Sequence, residues 1–587
     1  MFRITMISPH RHNDRTFGGA WKPAVTVFLI LFGAPVLQSQ TEIMIDELGY
    51  RPGDPKIALI REPISGKFEL IDSKTEKSVF SSSIARIGSR DQSTTDNIFV
   101  LDFTEFSSPG TYRIVINGSG LISSEFEISD TVFNAAFARG LESFYYQRCG
   151  TEVNHGTPWQ HPPCHTNDAI FYDNESKRKD VTGGWHDAGD YGKFTSTAAL
   201  SAAFLLYLYE DRFASMAARD KSSMRIPDIL GEVRYELEWL LKMQSADGSV
   251  YHKVSTKKWT GERLPQDDPD TRYIFGISTS ATGAFAAVTA LASRQYAKSD
   301  PQFSRELLRA ALSAWQFLMV HTSPIPPGGF HNPSDVEGGE YGDSQDDDER
   351  LWASVELFRA TGSDEYQDYF AAHYQQFLTS LSPISWEQVQ NLAYDSYIKI
   401  PLKDERGYVR TAILRQMTSY ADDLVRIVND GGYRCILTHD EYYWGSNSIV
   451  AGYAFDLVSL YQVTKNMSYL SAAADQLHYL LGRNTFGISF VTGVGSNPVR
   501  HPYHQFSMML HAGAPVPGLL VGGPNNGSRL QGHIISPFPG KCYEDNEKNY
   551  FVNEVAINYT APFVYLAGFF SSFSTAYAAI SQKKGTR

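Results

Sequence analysis

The sequence predicts a mainly α-helical protein with a small β-rich domain near its N-terminus. From residue 41 to 130, short runs such as FELID, FVLDF and TYRIVI are separated by Gly, Pro, Ser and Asp. That pattern is typical of a β-sandwich. From residue 131 to 587, apolar residues recur at spacings of three and four in segments of about 15 residues, which predicts an all-α domain.

The helical segments are numerous and are joined by loops of varied length. Helical hairpins repeated around a ring would bury so many apolar faces, and an irregular solenoid would do so equally well. Periodicity alone does not choose between these two arrangements. The longer loops are rich in Gly, Pro and aromatic residues, and long ordered loops on a rigid scaffold are where binding sites usually lie.

The first forty residues have the composition of an export signal. Basic residues precede the apolar run AVTVFLILFGAPVL, and residues 39 and 40 offer a cleavage point. We therefore expect residues 1–40 to be a signal peptide and the mature protein to be secreted, to the extracellular space or a periplasm. No membrane attachment is expected after cleavage.

Charge and composition narrow the class of partner. The formal net charge is −13, and no Lys- or Arg-rich run supplies the basic surface that nucleic acid requires. Aromatic residues make up 13% of the chain. Most will pack in the core, and a polysaccharide cleft would also use flat rings against sugars. We expect a monomer that binds polysaccharide and does not bind nucleic acid.

The segment GGWHDAGDYGKF, residues 183–194, concentrates acid and glycine. Asp187 and Asp190 lie on a loop that enters the predicted helix TAALSAAFLLYLY, where backbone N–H groups favour an ionised carboxylate. Such an aspartate either caps the turn or directs a charged carboxylate at a water molecule. Spacing alone leaves both interpretations open.

A second acid lies in the segment NEVAINYTAP, far along the chain. Glu554 stands at the mouth of an apolar helix. It is either a simple N-terminal charge or a partly desolvated carboxyl whose raised pKa suits a general acid. Only a closed fold could bring Glu554 next to Asp190.

These two segments resemble the signature regions of glycoside hydrolase family 9, the inverting cellulases built on an (α/α)6 barrel. The segments STSATGAFAAV, YYWGSNSIVAGYA, YLLGRNTFGISFVTGVG and APVPGLLVGGPN match family patterns in the same order. DELGYRP and PGTYRI resemble the immunoglobulin-like module of one branch of that family. The resemblance covers most of the chain. It implies an immunoglobulin-like β-sandwich domain followed by an (α/α)6-barrel catalytic domain.

The resemblance assigns catalytic roles by position. Asp190 would be the general base that deprotonates the attacking water, and Asp187 would help to hold that water. Glu554 would protonate the departing glycosidic oxygen. Tyr559 matches a tyrosine near the scissile bond, and Asp545 matches an acid for which we expect a supporting hydrogen-bond role.

Substrate contacts are also implied. In the segment NPVRHPYHQFS, Arg500, His501 and His504 match the loop that contacts sugar hydroxyls, although surface histidines are a simpler interpretation. Trp444, in the segment YYWGSN, is a further candidate for sugar binding. Gln505 stands where many relatives have Arg, so one charged contact to the substrate would be missing.

Four residues form a candidate zinc site: Cys149, Cys164, His165 and His186. Two thiolates and two imidazoles suit tetrahedral zinc. Their sequence spacing does not match a standard zinc finger. The resemblance implies a closed, structural zinc ion at these four ligands.

The acidic segment YGDSQDDDERLWAS is either a solvated helix start or an oxygen-rich calcium loop. The resemblance implies structural calcium at Ser344, Asp348 and Glu349, with Glu387 as a further ligand. Relatives usually have Asp in place of Glu387. No organic cofactor is implied.

The function implied is that of a secreted inverting endo-β-1,4-glucanase, a cellulase. An exo-acting family member (a cellobiohydrolase, cellodextrinase or exo-glucosaminidase) is the main alternative, because sequence does not show whether loops close one end of the cleft. A non-catalytic carbohydrate-binding protein is a third hypothesis. The intact set Asp187, Asp190 and Glu554 disfavours it.

Overall fold

The computed structural model describes residues 43–571, except 62–63, 65, 87–89, 168, 214–227, 260, 402–405 and 528–534. The predicted signal peptide, residues 1–40, lies outside the described residues. Within the described part of the chain, no helix combines the length and the apolar character needed to cross a membrane.

The N-terminal region is a sandwich of two sheets. Its strands are β1 (Gly49–Tyr50), β2 (Ile57–Ile60), β3 (Lys67–Asp72), β4 (Lys77–Ser83), β5 (Ala85–Arg86), β6 (Phe99–Asp102), β7 (Gly110–Ile116) and β8 (Phe126–Ile128). One sheet has the order β1-β8-β7-β3-β4 and the other the order β2-β6-β5. In β7, Tyr112, Ile114 and Ile116 are buried in strict alternation, as expected when one face of a strand covers a core.

Within the described residues, twelve helices build the larger part of the molecule. They are α1 (Asn134–Tyr146), α2 (Thr195–Leu208), α3 (Ile229–Met243), α4 (Thr279–Tyr296), α5 (Pro301–Val320), α6 (Asp347–Thr361), α7 (Asp364–His373), α8 (Gln390–Ile398), α9 (Gly407–Asp430), α10 (Ser446–Thr464), α11 (Met467–Leu480) and, near the C-terminus, α14 (Ile557–Phe570). Two short helices, α12 (Gln505–Leu510) and α13 (Tyr550–Asn553), lie between α11 and α14.

The helices close into a double ring. The inner helices contact one another in the cyclic order α2, α4, α6, α8, α10, α14 and back to α2, and each carries an outer helix. This closed ring is the predicted (α/α)6 barrel, and the alternative of an open solenoid is wrong. Every residue of α2 is buried, because an inner helix has neighbours on all sides. The expected amphipathic pattern therefore belongs to the outer helices.

Shorter elements fix the loops at one end of the barrel. A third sheet, of order β10-β9-β13-β12-β11, contains β9 (Ala169–Phe171), β10 (Asn174–Lys179), β11 (Lys193–Phe194), β12 (Lys253–Ser255) and β13 (Tyr273–Ile274). The described part of the chain also contains one π-helix and four 3-10 helices: Tyr209–Phe213, Pro265–Asp267, Tyr374–Gln376, His439–Glu441 and Pro539–Lys541. Because β11 directly precedes α2 and pairs with β12, the loop that carries Asp190 is held at its C-terminal end.

The sandwich packs against the barrel through buried polar contacts as well as apolar ones. The Asp46 carboxylate lies 2.7 Å from Nδ1 of His478, and both side chains are buried. The Tyr433 hydroxyl donates to Asp96 at 2.8 Å. The two regions are thus joined at specific positions.

Candidate active site

A cleft of about 960 Å³ crosses the end of the barrel where the inner helices begin. It contains Asp187, Asp190 and Glu554, so the fold brings together the three acids that the sequence predicts. Large exposed rings line the same cleft, namely Trp259, Tyr443, Trp444 and Tyr550. A long groove with acids and flat aromatic surfaces is suited to a sugar chain.

Asp187 is fully buried and fixed on both oxygens. Thr197, in the first turn of α2, donates to Oδ1, and the Tyr341 hydroxyl donates to Oδ2 at 2.8 Å. Its backbone carbonyl accepts the N–H of Ile557, the first residue of α14, at 2.7 Å. Burial raises the pKa of Asp187 to about 7. The residue therefore joins the first and last inner helices and has one orientation.

Asp190 lines the cleft three residues further on. Burial raises its pKa, while the Gly192 N–H, which donates to Oδ1 at 3.1 Å, and the cations Arg272 and Lys253 lower it. The sequence predicts an ionised carboxylate stabilised by a helix N-terminus. The structure corrects the cause, since the charge is supported by one loop N–H and two nearby cations. Burial raises the pKa of Asp190 by more than the N–H and the two cations lower it.

Glu554 lies in an extended segment between α13 and α14. Burial raises its pKa well above the ordinary value, and the charges of Asp190 and Asp187 raise it further. Its carbonyl accepts the Gly522 N–H at 2.8 Å. This is the environment expected of a carboxyl that keeps its proton near neutral pH.

The loop that carries Asp190 approaches the Glu554 segment through Tyr503. The Tyr503 N–H donates to the Asn553 carbonyl at 2.8 Å, and the Gln505 N–H donates to the Gly189 carbonyl at 2.8 Å. A Cβ at Gly189 would lie 2.5 Å from the Tyr503 ring. Glycine is therefore required at this position so that the two backbones can approach.

Tyr341 is a site residue that sequence reasoning missed. It lies just before α6, its side chain is placed against Trp386 with ring centroids 5.2 Å apart, and its backbone has a positive φ of 48°. A non-glycine residue in that conformation is strained, and such strain often marks a functional site. No sequence pattern links Tyr341 to Asp187, because only the fold brings them together.

Tyr559 and Trp444 line the cleft, as the sequence predicts for sugar-binding residues. Burial raises the pKa of Tyr559 well above its usual value, and the charge of Glu554 adds to that shift. The Trp444 ring is 41% exposed and packs on Phe551 with centroids 5.2 Å apart. The Tyr559 ring is thus beside Glu554, and the Trp444 ring is open to a ligand.

The three predicted contacts in the loop NPVRHPYHQFS are not among the described residues that line the cleft. His504 is buried, with its ring nitrogens 2.8 Å from the Ser507 hydroxyl and 2.9 Å from the Gln147 amide oxygen. Burial lowers its pKa to about 3. Its expected contact with sugar hydroxyls is therefore corrected to a structural role inside the protein.

Arg500 and His501 have exposed side chains, and their backbone N–H groups donate to the two oxygens of Asp545 at 2.8 and 2.9 Å. Asp545 also accepts from the side-chain amide of Asn553 at 3.1 Å. The carboxylate thus ties this loop to the residue before Glu554. This arrangement agrees with the supporting role predicted for Asp545.

Cys149, Cys164, His165 and His186 converge, with ligand atoms all within 4.8 Å of one another. The Sγ–N and N–N separations are 3.4 to 3.9 Å. Zinc bonds of about 2.0–2.3 Å directed to tetrahedral corners require donors roughly 3.3–3.8 Å apart. Two of these three separations lie inside that range, and the Cys164–His186 separation of 3.9 Å lies just above it. Asp268, which the sequence analysis missed, lies 3.2 Å from Nε2 of His165 and can orient that ring.

A second cluster joins Asp343, Asp348 and Glu349 at the start of α6. Both oxygens of Glu349 and Oδ2 of Asp343 are buried without a hydrogen-bond donor, a costly state unless a cation or a proton is present. The sequence predicts Asp348 and Glu349 but misses Asp343. The Ser344 side chain is exposed, and Glu387 lies outside this cluster and lines the cleft.

Five of the described lining residues are acids, and none is Lys, Arg or His. The acids are Asp187, Asp190, Glu340, Glu387 and Glu554. Glu340 is held by the Asn332 N–H at 2.8 Å and lies 2.7 Å from Nδ1 of His331. Even with Glu554 protonated, the described lining contains carboxyl groups and no cation, which suits a neutral polymer better than an anionic one.

Residues 133–567 match the protein family described as Glycosyl hydrolase family 9, and residues 38–120 match the Cellulase N-terminal ig-like domain. Endoglucanase D of Acetivibrio thermocellus is 32% identical over 552 residues, which cover 91% of this chain and 84% of that protein. The cellodextrinase of Butyrivibrio fibrisolvens is 29% identical over 553 residues, covering 89% and 98%.

Solved structures give the same likeness. A Zn-binding triple mutant of the family 9 endoglucanase J30 has a TM-score of 0.82 and 33% identity, and the match covers 89% of this chain and 99% of that one. The agreement extends over both the sandwich and the barrel.

Proposed function

The chain belongs to glycosyl hydrolase family 9, and from that premise we propose that it is an inverting endo-β-1,4-glucanase. The observation that carries the proposal is the pair of unlike carboxyls in one cleft. Glu554 has a strongly raised pKa, whereas Asp190 has a backbone N–H and two cations that favour its ionised form. Two acids that differ in this way can divide general-acid and general-base work.

In this mechanism the two acids act on opposite sides of the scissile bond. Glu554 gives its proton to the departing glycosidic oxygen while Asp190 takes a proton from the attacking water. The water forms its bond to the anomeric carbon on the face opposite the leaving group, so a β-linkage gives an α-product. Inverting enzymes hold the two carboxyls about 6.5–9.5 Å apart to admit that water.

Asp187 is proposed to hold the same water beside Asp190. Thr197 and Tyr341 occupy one lone pair on each of its oxygens, which leaves further acceptor positions for water. Because both donors come from separate inner helices or their loops, the direction of the carboxyl is set before substrate binds. Such preorganisation lowers the cost of orienting water at the moment of reaction.

We propose structural zinc at Cys149, Cys164, His165 and His186. The fit rests on their donor spacing and on the chemistry of the set. All four are protein ligands, so a tetrahedral ion would have no open position and would take no part in hydrolysis. Its role would be to hold the loop on which His186 directly precedes Asp187.

Structural calcium is proposed at Asp343, Asp348 and Glu349, where the buried oxygens lack donors. A hard cation with oxygen ligands matches this set. The Asp348 carboxylate also accepts the Val389 N–H at 2.8 Å. An ion here would fix the start of α6 and the segment that carries Trp386 into the cleft.

The substrate is proposed to be a β-1,4-glucan that lies along the aromatic rings of the cleft. One similar protein is named an endoglucanase and another a cellodextrinase. We favour endo action because exposed rings occur on both the Asp190 side and the Glu554 side, at Trp259 and Trp444. Residues 1–40 are proposed to direct secretion, with domains at 41–130 and 131–587.

Two measurements test this function. NMR of early products from a β-linked oligosaccharide should show the α-anomer first, and the β-anomer first would contradict inversion. Viscosity of hydroxyethyl cellulose should fall quickly for each reducing end released. A slow fall would instead support the exo-acting alternative.

A further inference from the structure

A second, much smaller cavity adjoins the cleft at Asp190. Its volume is about 20 Å³. A site for one water requires about 10–15 Å³, so this side cavity admits a single water and excludes a sugar. Five residues line both spaces: Asp190, Phe194, Trp259, Gly338 and Gly339. The Asp190 carboxyl therefore stands at the boundary between the cleft and the side cavity.

One part of the side-cavity wall is polar, and the rings of Phe194 and Trp259 belong to the rest of the lining. Ser255 and Thr256 come from the end of β12 and its continuation, and Arg272 lies beside them. Arg272 is buried and donates to the Tyr191 carbonyl at 2.6 Å. A buried water needs two to four polar partners, and these residues with Asp190 provide them.

The outer wall reaches the surface. Lys258 and Glu337 line the cavity and form an ion pair of 2.8 Å, and their side chains are 62% and 47% exposed. A flexible exposed pair of this kind opens easily, since surface ion pairs are weak. The side cavity thus connects Asp190 with solvent at a place other than the sugar-binding cleft.

The mechanism proposed above requires such a connection between Asp190 and solvent. The present inference rests on that mechanism. A bound sugar chain fills the cleft and displaces its water. Each hydrolysis breaks one C–O bond, consumes one water and leaves that water's proton on Asp190, while Glu554 loses its proton to the leaving oxygen. Before the next cycle Asp190 must release its proton, Glu554 must regain one from solvent, and a new water must arrive.

We propose that the side cavity holds a water bonded to Asp190, which replaces the attacking water and carries the proton of Asp190 to solvent. Ser255 and Thr256 are then positioning residues for this water and contact no sugar. Filling the cavity should therefore slow turnover and leave substrate binding intact.

The kinetic test compares Ser255→Leu, which fills the cavity, with Ser255→Ala, which leaves it open. On hydroxyethyl cellulose we expect kcat of the leucine variant to fall about tenfold, with KM within about twofold of wild type. The alanine variant should stay near wild type. Equal kcat values in the two variants, or a loss confined to KM, would overturn the proposal. If the leucine variant does not fold, Thr256→Leu replaces it.

A crystal structure of the wild-type protein provides a readout that does not depend on activity. An ordered water in the side cavity, within hydrogen-bond distance of Asp190, is the expected result. Absence of ordered water there at high resolution would overturn the inference even if the enzyme hydrolyses β-glucan. Conversely, a β-anomer as first product would reject the proposed mechanism while leaving the water site intact.

Discussion

Two sets of buried carboxyl groups, one at each end of the barrel, differ in their ion pairing. At the far end, where the inner helices finish, Glu356 pairs with Arg294, and Glu210 pairs with Arg294 and Arg359. Lys399 lies 3.1 Å from Asp211. At the cleft end, none of the ion pairs in the described part of the chain includes Asp187, Asp190 or Glu554.

The proton affinities of the two ends differ accordingly. Burial by itself raises the pKa of Glu210, but Arg294, Arg359 and Lys399 outweigh it and hold that pKa at about 2. Burial dominates at Glu554, whose pKa lies well above the usual value. A paired carboxylate keeps one charge state and serves stability, whereas an unpaired one can exchange a proton and serve chemistry.

The largest expected effect is loss of hydrolysis at the cleft end. Asp190→Ala and Glu554→Gln each remove one proton-transfer group, so kcat should fall by about 10²–10⁴-fold in each variant. Product release from hydroxyethyl cellulose measures the effect, and circular dichroism checks folding. Residual activity of half the wild-type value in either variant would contradict the assignment.

At the far end, Glu356→Gln should affect stability and leave chemistry alone. Glu356 is fully buried and also accepts the Tyr207 hydroxyl at 2.9 Å. Removing its charge leaves Arg294 with one fewer partner, so we expect the free energy of unfolding to fall by about 3–5 kcal/mol. Denaturant titration measures this.

The exposed change Glu105→Gln is the matched control for that charge loss, and it should leave stability within about 0.5 kcal/mol. At a temperature where the Glu356→Gln variant is folded, its kcat should equal that of wild type. A tenfold loss of kcat would show that the far end takes part in catalysis and would break the comparison.

Tyr341→Phe tests how Asp187, which has no ion-pair partner among the described residues, is held in its orientation by hydrogen bonds. The change removes the donor to Oδ2 of Asp187 and keeps the ring against Trp386. A lost hydrogen bond to a buried carboxyl costs about 1–3 kcal/mol, which predicts a fall in kcat of about 5- to 150-fold with little change in KM. A rise in KM at constant kcat would assign Tyr341 to substrate binding instead.

The pH profile should show both raised pKa values. Asp190 must be ionised, so activity is lost as pH falls through its pKa, which burial raises above that of an ordinary aspartate. Glu554 must be protonated, so activity is lost as pH rises through its pKa, which lies well above 4.5. The profile of kcat/KM against pH should therefore be a bell displaced to higher pH, and a fall centred near pH 4.5 on the alkaline side would contradict it.

The smallest effect concerns the charge of the substrate. Because the described lining of the cleft is acidic, carboxymethyl cellulose should be hydrolysed more slowly than hydroxyethyl cellulose of the same chain length. A single charge pair at about 7 Å in water is worth about threefold in affinity. The difference should shrink as salt rises, since 1 M salt shortens the screening length to about 3 Å. If the ratio of the two hydrolysis rates did not depend on salt, the charge of the cleft would not explain the difference between the two substrates.

Local sequence predicts much of the site because its key residues lie in short, distinctive segments. Asp187, Asp190 and His186 share a segment of twelve residues, and Glu554 lies three residues before an apolar helix. Roles that depend on direction were harder to predict. His504 sits next to cleft residues in sequence, yet its ring is turned into the protein and bonded to Gln147. Sequence gives the position of a residue along the chain and leaves the side to which it points undetermined.

By itself, the sequence determined the classes of secondary structure and the change from a β-rich to a helical region, because periodicity is a property of short segments. The four zinc-type ligands were implied by the resemblance to the family. Only the tertiary structure decided that the helices close into a ring, and that closure brings Tyr341 to Asp187 and Asp343 to Glu349. It also decided which acids are paired with cations and which are not. That distinction depends on the distances between helices far apart in sequence, and it separates the end of the barrel that stabilises the fold from the end proposed to carry out hydrolysis.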